Sequence, residues 1–204
     1  MKIICIGRNY VDHAKELGNQ VPENPVIFMK PETALIPKKM PFFIPDFSKD
    51  VHHEIELVVR INRLGKHIHE EFAHKYYQEI GLGIDFTARD LQSELKSKGL
   101  PWEKAKAFDG SAFVSPFLNI QKKSLDPHKI QLSLRKNGEL VQDGNTKDLL
   151  FPIDRLISYV SRYFTLKIGD LIFTGTPAGV GPVQANDLLE GYLEGNKQFS
   201  LRVK

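Results

Sequence analysis

Short apolar runs separated by proline, glycine and charged clusters set the rhythm of this chain. Ile3-Ile4-Cys5-Ile6 reads as a buried strand ending at Gly7, followed by a brief helical stretch to Leu17 that Gly18 stops. Residues 19–50 carry Pro22, Pro25, Pro31, Pro37, Pro41 and Pro45 around the strand-like Val26-Ile27-Phe28-Met29. That composition predicts extended irregular chain with a packing or functional role. A strand is expected over 53–61 and a helix over 68–79. A second helix, from about Ala88 to Lys98, turns Leu91 and Leu95 inward, sets Arg89 and Gln92 on another stripe, and stops at Gly99-Leu100-Pro101. Segments 111–120 and 129–142 read as strands, the latter a hairpin turning at Asn137-Gly138. Ile153, Leu156, Ile157, Val160 and Phe164 repeat at helical spacing behind Pro152. A strand at 170–173, a Thr/Gly/Pro loop over 174–182, and strands near 188–194 and 197–203 complete the chain. Strands dominate and no repeat is visible, so the pattern predicts a mainly β fold with a few helices (α+β) and not alternating βαβ units.

Composition narrows the setting. With 204 residues, 41% hydrophobic and 26% charged, the chain can bury a substantial interior and has the balance of a soluble globular protein. A net charge of +3 and a pI near 8.8 come from scattered lysines such as Lys38-Lys39, Lys96, Lys98 and Lys122-Lys123, which argues against a nucleic-acid partner. The single cysteine, Cys5, excludes intrachain disulfides and reads as a small buried hydrophobe in a reducing compartment. The opening apolar stretch is too short for a signal peptide or membrane span, so a cytoplasmic protein without a membrane partner is expected.

Three acids carry the candidate chemistry. Glu54 and Glu56 lie two residues apart in Val51-His52-His53-Glu54-Ile55-Glu56-Leu57-Val58-Val59, and alternate residues of a strand share a face. Asp85 closes the otherwise uncharged run Ile80-Gly81-Leu82-Gly83-Ile84. Buried together, such carboxylates need a cation or a proton between them. Oxygen-only ligands suit Mg²⁺ or Mn²⁺, while His52 and His53 keep zinc open. The competing readings are an edge strand whose glutamate face meets water, and a helix cap at Asp85 or Thr87, with Thr87 and Asp90 forming a T-x-x-D capping box.

Several ordered motifs carry a family resemblance. Gly7-Arg8-Asn9-Tyr10 with His13 and Glu16, His52-His53-Glu54-Ile55-Glu56-Leu57, Asp85-Phe86-Thr87-Ala88-Arg89-Asp90-Leu91-Gln92, Gly99-Leu100-Pro101-Trp102 with Lys104-Ala105-Lys106-Ala107-Phe108-Asp109, and Phe173 to Pro182 resemble the fumarylacetoacetate hydrolase family. The short acylpyruvase and oxaloacetate decarboxylase-like branch is the most similar. The resemblance implies rolled mixed β-sheets of the family's C-terminal domain type, one catalytic domain over 1–204, and a homodimer. It implies Mg²⁺ or Mn²⁺ on Glu54, Glu56 and Asp85, a general-base dyad of His13 and Glu16, and Lys106 and Gln92 as donors to substrate oxygens. Lys106 thus counts as both catalytic and substrate-binding. Arg8 could pair with a substrate carboxylate, and Thr176 could offer its hydroxyl to the same group. The implied substrate is a small 2-oxo acid, with hydrolysis of the C–C bond of acylpyruvates of the acetylpyruvate or fumarylpyruvate type, or decarboxylation of oxaloacetate, through a metal-stabilised enolate. Isomerisation or tautomerisation of 2-hydroxy-dienoates or 2-oxo acids on the same site is the alternative, and a non-catalytic metal- or nucleic-acid-binding module the third reading. Where many relatives carry a Cys-Pro pair, this chain has Gly110-Ser111-Ala112-Phe113-Val114-Ser115-Pro116, which is expected to alter the wall of the site.

Overall fold

The computed structural model describes residues 1–11 and 21–204. Its largest element is a mixed sheet in the order β2-β1-β11-β4-β5-β7, built from β1 (Ile3–Gly7), β2 (Val26–Lys30), β4 (Ile55–Ile61), β5 (Tyr77–Asp85), β7 (Ala112–Val114) and β11 (Leu171–Phe173); β8 (Leu118–Asn119) also pairs with β5. β1 runs parallel to β11, and the other neighbours are antiparallel. A second sheet in the order β10-β9-β13-β14 joins β9 (Gln131–Lys136), β10 (Glu139–Asn145), β13 (Leu188–Leu193) and β14 (Asn196–Arg202). A small third sheet, β12-β3-β6, is formed by β3 (Val51–His53), β6 (Thr87–Ala88) and β12 (Gly181–Pro182). The fold is mostly β, as the alternation of short apolar runs requires.

β4 lies inside the large sheet, between β11 and β5, so the edge-strand reading of the Glu54–Val59 segment does not hold. Its two faces serve different ends. Ile55, Leu57, Val59 and Ile61 enter the main core together with Leu132, Leu134 and Leu189 of the second sheet and with Ile153, Leu156, Ile157 and Val160. The last four are the inner stripe of α3 (Ile153–Tyr163), the helix read from the 3.6-residue period. On the opposite face Val58 packs with Ile3, Cys5, Leu171 and Phe173, and Glu56, two residues before it, lies on that same side.

Two helical expectations fail in instructive ways. Over 68–79 the chain forms only a 3₁₀ segment, Glu70–Tyr76, and Tyr77 already pairs with Ile61 as the first residue of β5. Sheet pairing there overrides local preference. In α1 (Arg89–Ser97) the buried residue is Gln92, and Leu91 and Leu95 are only half-buried, so the helix turns its polar stripe inward. Its N-cap is Ala88 without a side-chain cap, and Asp90 accepts from Ser48 Oγ at 2.7 Å and Lys49 N at 2.9 Å, so neither Asp85 nor Thr87 acts as a cap. A short α2 (Glu103–Lys106) follows and delivers Lys106.

Candidate active site

Register brings the three acids together. β4 and β5 pair Ile55 with Ile84 and Glu56 with Gly83, and Asp85 N donates to Glu54 O at 2.9 Å, so Asp85 stands opposite Glu54. Gly83 must be glycine, since a Cβ there would lie 2.5 Å from the Phe173 ring and 2.6 Å from Val58. Oxygens of Glu54, Glu56 and Asp85 lie within 4.8 Å of one another, and the three side chains are buried. Neither histidine joins them among the described residues: His52 Nε2 contacts Asp50 at 2.9 Å and His53 Nδ1 contacts Gln142 at 3.0 Å.

Each carboxylate is held differently. Lys106 Nζ reaches Glu54 Oε2 at 2.8 Å, Asp85 Oδ2 at 2.8 Å and Thr87 Oγ1 at 2.6 Å, which uses all three ammonium donors. Arg89 Nη2 donates to Glu54 Oε1 at 2.5 Å while its Nη1 donates to Gln92 Oε1 at 2.6 Å. Lys30, fully buried at the end of β2, sits 2.8 Å from Asp85 Oδ1, off the hydrogen-bonding direction, and is braced by the Lys106 carbonyl and by Ser111. Glu56 has no basic partner among the described residues; Gly175 N donates to its Oε2 at 2.7 Å. Gly175 reaches that position at φ +103°, and a Cβ there would lie 2.7 Å from Asn9 Cβ. Burial, then the Asp85 charge, push the Glu56 carboxyl well above the usual range, against the pull of the Gly175 N–H. Burial also opposes the Lys106 charge, but Asp85 and Glu54 outweigh it and hold the ammonium protonated.

These donors suit a hard divalent cation. Three buried carboxylates, one of them without a basic partner among the described residues, leave a concentration of oxygen donors that Mg²⁺ or Mn²⁺ would satisfy, and no described cysteine or histidine completes the cluster to favour zinc.

A pocket opens over this cluster. Arg8, Gln92, Lys106 and Thr176, all singled out in the sequence, line it together with the three acids. Arg8 stands just past β1 with φ +60°, and its neighbour Asn9 is clamped by Phe151 N at 2.8 Å, Phe151 O at 3.0 Å and Thr174 O at 2.8 Å. Thr176 Oγ1 accepts from Gln142 Nε2 at 2.8 Å. His13 and Glu16 lie outside the described residues. The 109–116 segment does not line the pocket; its Ser111 braces Lys30 from behind, while Phe28 and Trp102 supply apolar wall.

Sequence reasoning passed over Lys30, Lys96 and Gln142. Lys30 closes an apolar strand as Asp85 does, and Lys96 continues the Arg89-Gln92 stripe, so both carried a readable signal. Gln142 gave none. It comes from β10 of the second sheet, accepting from Ile55 N at 3.0 Å and donating to Pro177 O at 2.9 Å. Those two partners fix its amide orientation, and His53 Nδ1 must therefore be the donor to Oε1. Burial pushes the His53 imidazole down to about 4, so it is neutral in this network.

The profile of the fumarylacetoacetate (FAA) hydrolase C-terminal family matches residues 2–204. The chain belongs to that family. Among family members, it is 46% identical over 202 residues to the mitochondrial oxaloacetate tautomerase FAHD1 of Mus musculus, covering 99% of this chain and 91% of that one. It is 46% identical over 195 residues to the oxaloacetate tautomerase YcgM of Escherichia coli K12, with 96% and 89% covered. The fold superposes on fumarylpyruvate hydrolase from Pseudomonas aeruginosa, solved with Mn²⁺ and pyruvate, with a TM-score of 0.94, 36% identity, and 100% and 89% of the chains covered. The family fold of curled mixed sheets is therefore the one observed.

Proposed function

We propose that this protein is a divalent-metal-dependent enzyme on small 2-oxo acids, with keto–enol exchange of oxaloacetate as its main reaction. The observation that carries it is the Glu54-Glu56-Asp85 cluster beneath a cation-lined pocket, in a chain 46% identical to oxaloacetate tautomerases. A divalent ion on the three carboxylates, Mg²⁺ or Mn²⁺, would supply Lewis-acid polarisation of the substrate's 2-oxo group. Lys106 and Arg89 hold the ligand oxygens in place. Arg8 and the Thr176 hydroxyl are assigned to the substrate carboxylate next to the 2-oxo group, and Gln92 to a substrate oxygen, its Oε1 being already taken by Arg89. Phe28 and Trp102 give the pocket an apolar wall beside these polar groups. His13 is assigned the proton removed from the carbon beside the carbonyl, with Glu16 orienting its imidazole, and returning that proton to oxygen completes the exchange.

C–C cleavage of acylpyruvates is the second reading, favoured by the fold's similarity to fumarylpyruvate hydrolase. It needs a water, which adds to the distal acyl carbonyl; the C–C bond then breaks, the acyl group leaves as a carboxylic acid, and pyruvate leaves as its enolate and takes up a proton. A homodimer is also proposed, because β2 is a sheet edge and Met40, Phe43 and Phe47 are exposed nearby in the chain. No described helix is long and apolar enough to cross a membrane. The test is a panel of oxaloacetate, acetylpyruvate and fumarylpyruvate with Mg²⁺ or Mn²⁺, using Glu54→Gln as control. EDTA-sensitive enol–keto exchange that Glu54→Gln abolishes is expected. Wild-type protein with no EDTA-sensitive turnover of any member would overturn the proposal.

A further inference from the structure

The pocket holds more positive charge than its own carboxylates require. Among the described residues, Arg8, Lys30, Arg89, Lys96 and Lys106 surround Glu54, Glu56 and Asp85, and a bound divalent ion would widen the imbalance. Most of these cations are committed. Lys106 and Arg89 hold Glu54, Lys30 and Lys106 hold Asp85, and Arg8 is assigned above to the carboxylate beside the 2-oxo group. Lys96 is left.

Lys96 follows Arg89 and Gln92 at intervals of three and four residues, so it continues their stripe along the pocket side of α1. Helical side chains lean toward the N-terminus of their helix, which carries the lysine stem back toward Gln92. Its ammonium lies 5.3 Å from the centroid of the Trp102 ring, which gives it an apolar seat at the pocket wall. It makes no hydrogen bond or ion pair with any described residue. Partial burial, then Arg8, Arg89 and Lys106, push it down to about 8, as expected of a cation crowded by other cations. The nearby Lys98, by contrast, is exposed and paired with Glu94 at 2.6 Å. A half-buried ammonium among like charges is a costly arrangement unless an anion shares it.

We infer that Lys96 is the specificity-determining residue for the second carboxylate of a dicarboxylic 2-oxo acid, the one remote from the 2-oxo group. The preferred substrate class is then the dianion and not the monocarboxylate. This rests on reading the pocket as a 2-oxo acid site.

The test compares oxaloacetate with its 4-amide, 2-oxosuccinamate, by kcat/KM on the Mn²⁺-loaded protein, and L-malate with its 4-amide by calorimetric Kd, which needs no turnover. The wild type should favour each diacid by about tenfold, the effect of one charge-assisted hydrogen bond. In Lys96→Met the diacid and the amide should become equivalent in both measurements, while Lys98→Met, at the C-cap of the same helix, should keep the wild-type preference. Retained binding of the malate amide by Lys96→Met shows that the variant is folded. A preference that survives Lys96→Met, or that Lys98→Met removes equally, overturns the inference. Wild-type turnover of both 2-oxo acids without preference overturns the subsite alone, whereas absence of EDTA-sensitive turnover of either overturns the 2-oxo acid reading and this inference with it.

Discussion

Replacing Glu56 by glutamine should raise the stability of the metal-free protein and remove most of the stability that a bound divalent ion adds. The carboxyl is 2% exposed, and its pKa is raised by burial and by Asp85. A folded-state pKa above the unfolded one means the native protein binds the extra proton in the interval between them, so metal-free stability falls as pH rises through that interval. The interval begins at the ordinary glutamate value, near pH 4.3, and the loss is at most about 1.4 kcal/mol per pH unit. For a chain of this size that corresponds to roughly 3–6 °C of Tm per unit. In Glu56→Gln the amide oxygen still accepts from Gly175 N–H and no charge is buried, so this slope disappears. The metal-free variant should therefore melt above wild type by a margin that grows with pH. With ion at about one hundred times its Kd the wild type gains about 2.7 kcal/mol, and the variant, short of one anionic ligand, gains far less. Melting followed by circular dichroism between pH 5 and 9, in EDTA and in excess Mg²⁺ or Mn²⁺, reads both effects. A metal-free variant that melts below wild type at every pH, or one that keeps the full metal-induced shift, would refute the reasoning.

Other residues give independent checks. Lys106→Met removes a cation that both Glu54 and Asp85 share, Arg89 and Lys30 staying beside them among the described residues, and should cost about 3 kcal/mol, read by urea denaturation, with added divalent ion restoring part of it. Gln142→Leu strands Ile55 N–H, the His53 ring and the Thr176 hydroxyl, so Tm should fall and KM for oxaloacetate rise; an unchanged KM would detach Thr176 from substrate binding. Asp170 tests the fold away from the site. Burial alone would raise its carboxyl, but Lys2 Nζ at 2.5 Å, Lys2 N at 2.8 Å and Lys167 N at 2.7 Å hold it below the ordinary range. A depressed carboxyl contributes stability above its unfolded pKa and loses it as pH falls through the folded value. Asp170→Asn should therefore cost roughly 1.5–3 kcal/mol at neutral pH, a gap that closes below about pH 4.

Local spacing along the chain determined a good deal by itself. The apolar stripe of α3, the strand alternation of Ile55, Leu57 and Val59 and the turn at Asn137-Gly138 depend on periods of a few residues, and they stand in the structure as read. The three acids were legible because charge inside an apolar run demands a partner wherever that run is buried. Tertiary structure decided everything that depends on what faces what. Whether Glu54 and Glu56 meet water or each other followed from β4 lying between β11 and β5, a matter of sheet order that no local window contains. The inward turn of Gln92 in place of Leu91 and Leu95 followed from a polar pocket beneath α1, which rewards hydrogen bonds over apolar burial. Gln142 and Lys30 reach the site from strands 87 residues and 55 residues away from their partners Ile55 and Asp85: the packing of the second sheet on the first brings Gln142 to Ile55, and strand order within the first sheet sets which carboxylate the charge of Lys30 faces, neither of which a local window contains.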